Sequence, residues 1–499
     1  MQSLQDILHA DARRFGPTLA EAAYRRGLAV TQKDGTTRPI PVTATPVILP
    51  AAEIRRRAEA SRAISSAALK VARWVLGGDE PERILGALSP LERKMADATW
   101  RNVRTLATTR VDYFEAGGVP YALEVNATIP AMQGYSDIAA NAFIDTVGRH
   151  AGLNDAWVAK LQAENGSNAL ALFRALLEGY GAQRNGAMPE RILLLCRRND
   201  AQLTEQQYLA ARFSELGVEA EVVHPDELSG EDSVQARGKT WDLVYRHLFV
   251  RRLEETPSPW VERFFLEYPR FKTVLLNPPS AQVEVKGAFA LLSRALLDDS
   301  AAEAAGLSDE EREICRRLVP WTRTFRAGRS EGPGGERVEE LVAHVAAEPD
   351  RYVLKRSWDY GGKAVFVGRA RNTPQFEERS RAFGGGEALD WAGVCAKAAT
   401  DTVGGGFVVQ EFVDNVPQPH LICTTKDVVP ADLYVDFSAY ASVQPGRQPA
   451  WGGVCRGSVS QIVNILGGGG VMPLISQEVA DKLQTAFTAQ LERPLRDRR

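Results

Sequence analysis

Asp112, Glu124 and Asn126 share the stretch RVDYFEAGGVPYALEVNATIP, residues 110–130, and together could hold a hard cation. The stretch alternates as two strands that turn at Gly117-Gly118. Side chains two apart on a strand share a face, so Glu124 and Asn126 point the same way. Hairpin pairing would bring Asp112 and Arg110 to that patch. Acids gathered without a cation repel one another. Oxygen-only donors of this kind suit Mg²⁺ or Mn²⁺, with nucleotide phosphates completing the shell. A solvated edge hairpin is the alternative, but the acid and amide of YALEVN sit among apolar residues, which favours a metal.

A second group lies far along the chain, in VLKRSWDYGGKAV. Lys355 ends an apolar strand, Gly361 and Gly362 make a turn, and Lys363 follows. Glycines let backbone N–H groups approach an anion closely, so the group suits a polyphosphate. The GxxxxGK[ST] spacing of a helix-opening phosphate loop is absent, and an ordinary hairpin with surface lysines is the alternative. In FVVQEFVDNVPQP a strand ends at Gln410-Glu411 and exposes backbone near Val413, an arrangement that can meet an adenine edge or simply lead into a loop. Lys286 stands just before an amphipathic helix, where a solvated lysine is the default reading.

Several elements must position these residues. The 499 residues exceed one compact core and predict two or three units. Residues 1–100 read as mainly helical, with a helix closing at Gly77-Gly78, and 137–182 are helical again. Between 188 and 280 strands and a helix alternate (Ile192–Cys196, Ala220–Val223, WDLVYRHLF, KTVLLNPP), which predicts a small parallel α/β unit. GRSEGPGGERV reads as a polar connector. From 351 onward strands dominate, and a last helix covers about 476–493. Hydrophobic residues make up 44% and charged residues 25%, with a net charge of −3. That balance gives no drive toward nucleic acid or anionic membrane. No apolar run suggests a membrane span, and the N-terminus lacks a signal-peptide pattern. The five cysteines form no CxxC pair, which predicts a reducing, cytoplasmic setting.

Taken in this order, the motifs resemble the circularly permuted ATP-grasp ligases, the group that includes the synthetase half of glutathionylspermidine synthase. Arg110-Val111-Asp112, then Leu123-Glu124-Val125-Asn126 with Pro130 behind, is similar to the metal signature of D-alanine:D-alanine ligases and their relatives. There the signature comes last; here it precedes the α/β unit and the Lys355 turn. The resemblance covers roughly 90–140 and 190–475. It implies an α/β (α+β) ATP-grasp fold, circularly permuted, with a Rossmann-like pre-ATP-grasp domain. The expected divisions are a helical region at 1–90, the metal-binding part at 91–187 and the α/β domain at 188–280. A lid subdomain at 281–430 and the remainder at 431–499 complete them.

The resemblance further implies that Asp112, Glu124 and Asn126 hold two Mg²⁺ ions on ATP, and that Arg110 faces the transferring phosphoryl group. Lys286 and Lys355 would meet the α- and β-phosphates, with Gly361, Gly362 and Lys363 as the lid. Gln410, Glu411 and Val413 would meet adenine, and Asp414, or else Gln418, the ribose. Arg456 and Asn464 would face phosphate or metal. ATIPAMQGYSD departs from the short Pro-Gly turn usual after the asparagine, so D-alanine is not implied as substrate; Gly134, Ser136 and Asp137 would shape the acceptor end. Arg197, Arg198 and Asn199 follow the first strand of the α/β unit, where such sheets bind ligands, and are candidates for a substrate carboxylate. The implied reaction joins a small carboxylate to an amine (amino acid, peptide or polyamine) through an acyl phosphate, releasing ADP and phosphate. A non-catalytic Mg-ATP-binding regulatory or interaction protein is the competing reading. A dinucleotide-dependent oxidoreductase is disfavoured, because LLLCRRND lacks a GxGxxG turn. Oligomeric state is not legible.

Overall fold

A computed structural model describes residues 3–359, 362, 364–444, 452–463 and 468–492. Three sheets organise the chain. The largest has seven strands, in the order Gln418–Cys423, Val42–Thr43, Gly469–Met472, Gly453–Ser458, Val428–Val443, Leu106–Ala116 and Val119–Asn126. The last two form the acid hairpin at one edge. Gly117 and Gly118 lie at φ 58° and 76°, the left-handed pair that a two-residue hairpin turn needs. Asp112 pairs directly with Glu124, and Arg110 with Asn126.

Val428–Val443 anchors this sheet, bonding to Leu106–Ala116 on one side and Gly453–Ser458 on the other. Helix Ala51–Gly77 packs along it. Buried Ile54, Ala58, Ile64, Ala68, Val71 and Val75 recur at helical spacing on that helix. On the other side, helices Leu4–Arg25 and Gln133–His150 pack against each other and against strands of the same sheet.

The α/β unit is a four-stranded parallel sheet ordered Val274–Leu276, Leu243–His247, Arg191–Cys196, Glu219–Val223. Three of its strands are buried on both faces, as parallel strands require, while Glu219–Val223 at one edge is mostly part-buried. Arg246 ties this unit to the acid hairpin. Its buried guanidinium donates to the carbonyls of Asn277 (2.9 Å), Leu248 (2.6 Å), Pro278 (3.1 Å) and Thr128 (3.2 Å).

The third sheet is antiparallel: Thr322–Phe325, Phe407–Glu411, Tyr352–Arg356, Val365–Val367. Its last two strands flank the glycine turn. The base of the turn is pinned by Ser357 N–H to Gly406 O (2.7 Å) and Trp358 N–H to Gly404 O (3.0 Å). Gly404 has φ 59°, and a Cβ there would lie 2.7 Å from Trp358 O, so this close approach requires glycine.

Two stretches differ from the sequence expectation. Residues 29–49, read as part of a mainly helical region, supply short strands, including Val42–Thr43 inside the large sheet. Pro39, Pro41, Pro46 and Pro50 interrupt any helix there. GRSEGPGGERV, read as a connector, closes a small hairpin between Ser330–Glu331 and Arg337–Val338. All five cysteines are buried and unpaired. Among the described residues, no helix is long and apolar enough to cross a membrane.

Candidate active site

The acid hairpin and the third sheet face each other across a cleft of about 320 Å³. Arg110, Asp112, Glu124 and Asn126 line one wall; Lys286, Lys355, Gly362, Gln410, Glu411 and Val413 line the other parts, with Arg456 between. Residues more than two hundred positions apart in sequence thus meet in one space.

The acid wall carries its own cations. Asp112 accepts from Arg110 through both oxygens (2.7 and 3.0 Å) and from Arg456 at 3.0 Å. Burial works to raise its pKa, but the two guanidinium groups prevail and hold it well below the usual carboxylate range. Both Asp112 oxygens are therefore committed to arginines, which differs from the open ligand read from sequence. Glu124 pairs with Lys286 at 3.1 Å. Burial opposes its charge; Lys286 and Lys355 outweigh that and keep its pKa lowered. Asn126 spends its amide N–H on Arg110 O at 3.4 Å, which turns the amide oxygen to the acceptor role. An ionised Glu124 and the Asn126 oxygen are hard donors that fit a divalent ion.

Asp436 is the acid that sequence reading misses. It lies opposite Arg456 on the neighbouring strand. It accepts from the Arg456 backbone N–H and Nε, both at 3.1 Å, and contacts Nη2. Burial pushes its pKa up against the pull of Arg456. The one signal was an aspartate in the apolar run LYVDFSAY. Glu284 is a second such residue. Part-buried in the cleft wall, it accepts from the N–H groups of Ala127 (3.0 Å) and Thr128 (2.6 Å), fixing the chain just after Asn126.

On the opposite wall Lys355 is 9% exposed. Its ammonium donates to Gln410 Oε1 at 2.7 Å. Burial pushes its pKa down to about 8, with Glu124 pulling it back and Lys286 adding to the fall. The Gln410 side chain is not open toward a base, because its Nε2 donates to Thr322 Oγ1 (3.0 Å) and to Leu123 O (3.3 Å), tying the two sheets together. Glu411 and Val413 line the cleft with Phe114, Leu123, Val353 and Val367, an apolar slot beside the charged region. Gly362, at φ 70°, approaches Ile462 so closely that a Cβ would sit 2.5 Å from Ile462 Cγ2. Gly361, Lys363 and Asn464 lie outside the described residues.

The structure places the remaining candidates away from this cleft. Asp414 is exposed and paired with Arg369 at 2.6 Å, and Gln418 opens a strand that pairs with Val428–Val443. Gly134, Ser136 and Asp137 are buried in helix Gln133–His150. Ser136 donates to Gly453 O (2.7 Å). Asp137 accepts from Ser167 Oγ and the N–H groups of Asn168 and Ala169, at the start of helix Asn168–Gln183. Gly134 donates to Glu205 at 3.0 Å. Arg197 pairs with Asp200 (2.9 Å), Arg198 with Asp226 (2.8 Å), and Asn199 donates to Lys33 O (3.1 Å). They sit at the carboxyl end of strand Arg191–Cys196, in the α/β unit rather than on the cleft wall. Buried Cys196, Asp200 and His247 cluster there, with ligand atoms within 4.8 Å of one another. Asp200 accepts from Arg197 (2.9 Å) and the Gln202 N–H (3.0 Å), and His247 Nε2 lies 3.7 Å from it.

No protein-family model matches the chain, and no curated protein matches its sequence. Among solved structures, a protein provisionally assigned as a gamma-glutamylcysteine synthetase from Methylobacillus flagellatus KT aligns at TM-score 0.37 with 12% identity. It covers 77% of this chain and 83% of its own length, and at that score carries no argument. A glutathione synthetase-like effector from Globodera pallida, solved in apoform, aligns over 95% of this chain and 98% of its own. Its TM-score is 0.59, with 12% identity. The mixed α/β architecture of this chain is therefore similar, from end to end, to that of the glutathione synthetase-like effector.

Proposed function

We propose that the protein is an ATP-dependent ligase that joins a carboxylate to an amine, releasing ADP and phosphate, on a permuted ATP-grasp fold. One observation carries this reading: Glu124 and Asn126 share a cleft with Lys286 and Lys355, beside apolar Phe114, Leu123, Val353, Val367 and Val413. Hard oxygen donors facing one buried and one part-buried ammonium group match a metal–polyphosphate.

In this reading Lys355 and Lys286 bind the α- and β-phosphates, and the slot lined by Val353, Val367 and Val413 takes adenine. Glu124 and Asn126 would hold Mg²⁺ or Mn²⁺, which when bound offsets charge on the transferring phosphoryl group. Arg110 and Arg456 are kept in place by Asp112 and Asp436, aimed at the same region. They compensate negative charge as a substrate carboxylate attacks the γ-phosphate and an acyl phosphate forms. An amine then attacks the acyl carbon and phosphate leaves. Gly362 and Ile462 line the cleft, from which water must be kept, or it would hydrolyse the acyl phosphate. The acid and amine are small molecules of the amino acid, peptide or polyamine kind, and the setting is cytoplasmic.

ADP release measured against panels of acids and amines tests the reading. Release that requires both an acid and Mg²⁺ is expected. Binding of a Mg-ATP analogue with no release for any pair would instead make the protein a nucleotide-binding module.

A further inference from the structure

We infer that Lys286 is a stand-in cation for the divalent ion, so that the free protein excludes the metal until a polyphosphate draws Lys286 away. The inference rests on the nucleotide reading above and concerns the order of binding at that site.

Glu124 has only a protein cation to answer its charge in the free cleft. Lys286 Nζ lies 3.1 Å from Glu124 Oε2, and the lysine side chain is 14% exposed. The same ammonium donates to Asp359 O at 3.3 Å, just before the glycine turn. Its backbone N–H is fixed to Ser357 O at 2.8 Å, and the Gly287 N–H to Ser357 Oγ at 3.0 Å. Lys286 is thus bound by main chain to the base of the turn and by side chain to the acid ribbon. Asp112 offers no second opening, because Arg110 and Arg456 hold both its oxygens.

A divalent ion on Glu124 and an ammonium on the same carboxylate repel each other at this range. With no anion present, the displaced ammonium loses the carboxylate it pairs with at 3.1 Å, and Lys355 already occupies the facing wall. A polyphosphate supplies the missing destination. The ion and the nucleotide are therefore positively coupled, each improving binding of the other by the same factor.

Mn²⁺ binding followed by electron paramagnetic resonance, on the full chain, tests this. Wild-type protein is expected to bind Mn²⁺ alone weakly, and about 5- to 150-fold more tightly with a non-hydrolysable ATP analogue or inorganic tripolyphosphate present. Lys286→Met is expected to bind Mn²⁺ alone more tightly than wild type, and adding Glu124→Gln should remove that gain. Wild-type protein that binds Mn²⁺ equally well with and without the analogue overturns the inference, and needs no variant to fold. So does a folded Lys286→Met with no gain. Failure to bind Mn²⁺ even with the analogue would instead overturn the nucleotide reading itself.

Discussion

Replacing Lys355 with Met should stabilise the free protein at neutral pH while removing its affinity for a nucleotide. Lys355 holds its proton in a buried site where its pKa falls from 10.5 to about 8. Between those values the unfolded chain binds more protons than the folded one, so this group's contribution to stability rises with pH through that window. Keeping the charge inside costs about 3 kcal/mol at about pH 7, and about 1.4 kcal/mol at about pH 9.5. Met removes that cost but leaves Gln410 Oε1 without its donor, a loss of about 1 kcal/mol. The variant should therefore exceed wild type by about 2 kcal/mol at about pH 7 and converge on it near about pH 9.5. Urea denaturation at the two pH values reads the difference. A variant less stable than wild type at neutral pH, or a gap that does not shrink with pH, refutes the burial account. The same charge is what a phosphate would meet, so the apparent Kd of a Mg-ATP analogue for wild type should rise above about pH 8 as the ammonium is lost.

Asp436→Ala leaves the part-buried Arg456 short of its main partner and should cost about 3–5 kcal/mol in chemical denaturation; Asp436→Asn, which keeps one of the two acceptor oxygens, should cost less. Gly404→Ala must take a residue at φ 59° and press a Cβ to 2.7 Å from Trp358 O. A loss of about 1–3 kcal/mol in thermal unfolding is expected, and a neutral result would contradict the pinned turn. Arg246→Met strands four carbonyl groups between the α/β unit and the acid hairpin. It should lose about 3 kcal/mol or more, read as a lower urea midpoint.

Local pattern makes the elements legible and leaves partners invisible. The acid hairpin can be read because strand alternation and a Gly-Gly turn are short-range signals; the bulge between Tyr113 and Asp112 that sets Asp112 opposite Glu124 rather than Leu123 leaves no such signal. The four strands of the α/β unit are equally plain, since each is an apolar run bounded by turn residues. What Asp112 does is not local: Arg456, which takes one of its oxygens, lies 344 positions away. Gln410 is another case. A glutamine at a strand end looks available to a base, yet Leu123 and Thr322 from distant strands consume its amide. Asp137 looks like a substrate acid but accepts from Ser167 and Asn168, at the start of a helix about thirty residues later. Short strands at 29–49 escape notice for the opposite reason: Val42–Thr43 has only two residues, too few to show a period.

The central claim is that the acid ribbon and the lysine wall grip one metal–nucleotide between them. Isothermal titration of a Mg²⁺-bound, non-hydrolysable ATP analogue into wild type, Glu124→Gln and Lys355→Met tests it most directly. One analogue per chain in wild type, with affinity severely reduced in both variants and restored by neither excess metal nor raised pH, is the predicted result. Unchanged binding in both variants, or binding that does not depend on Mg²⁺, would contradict it.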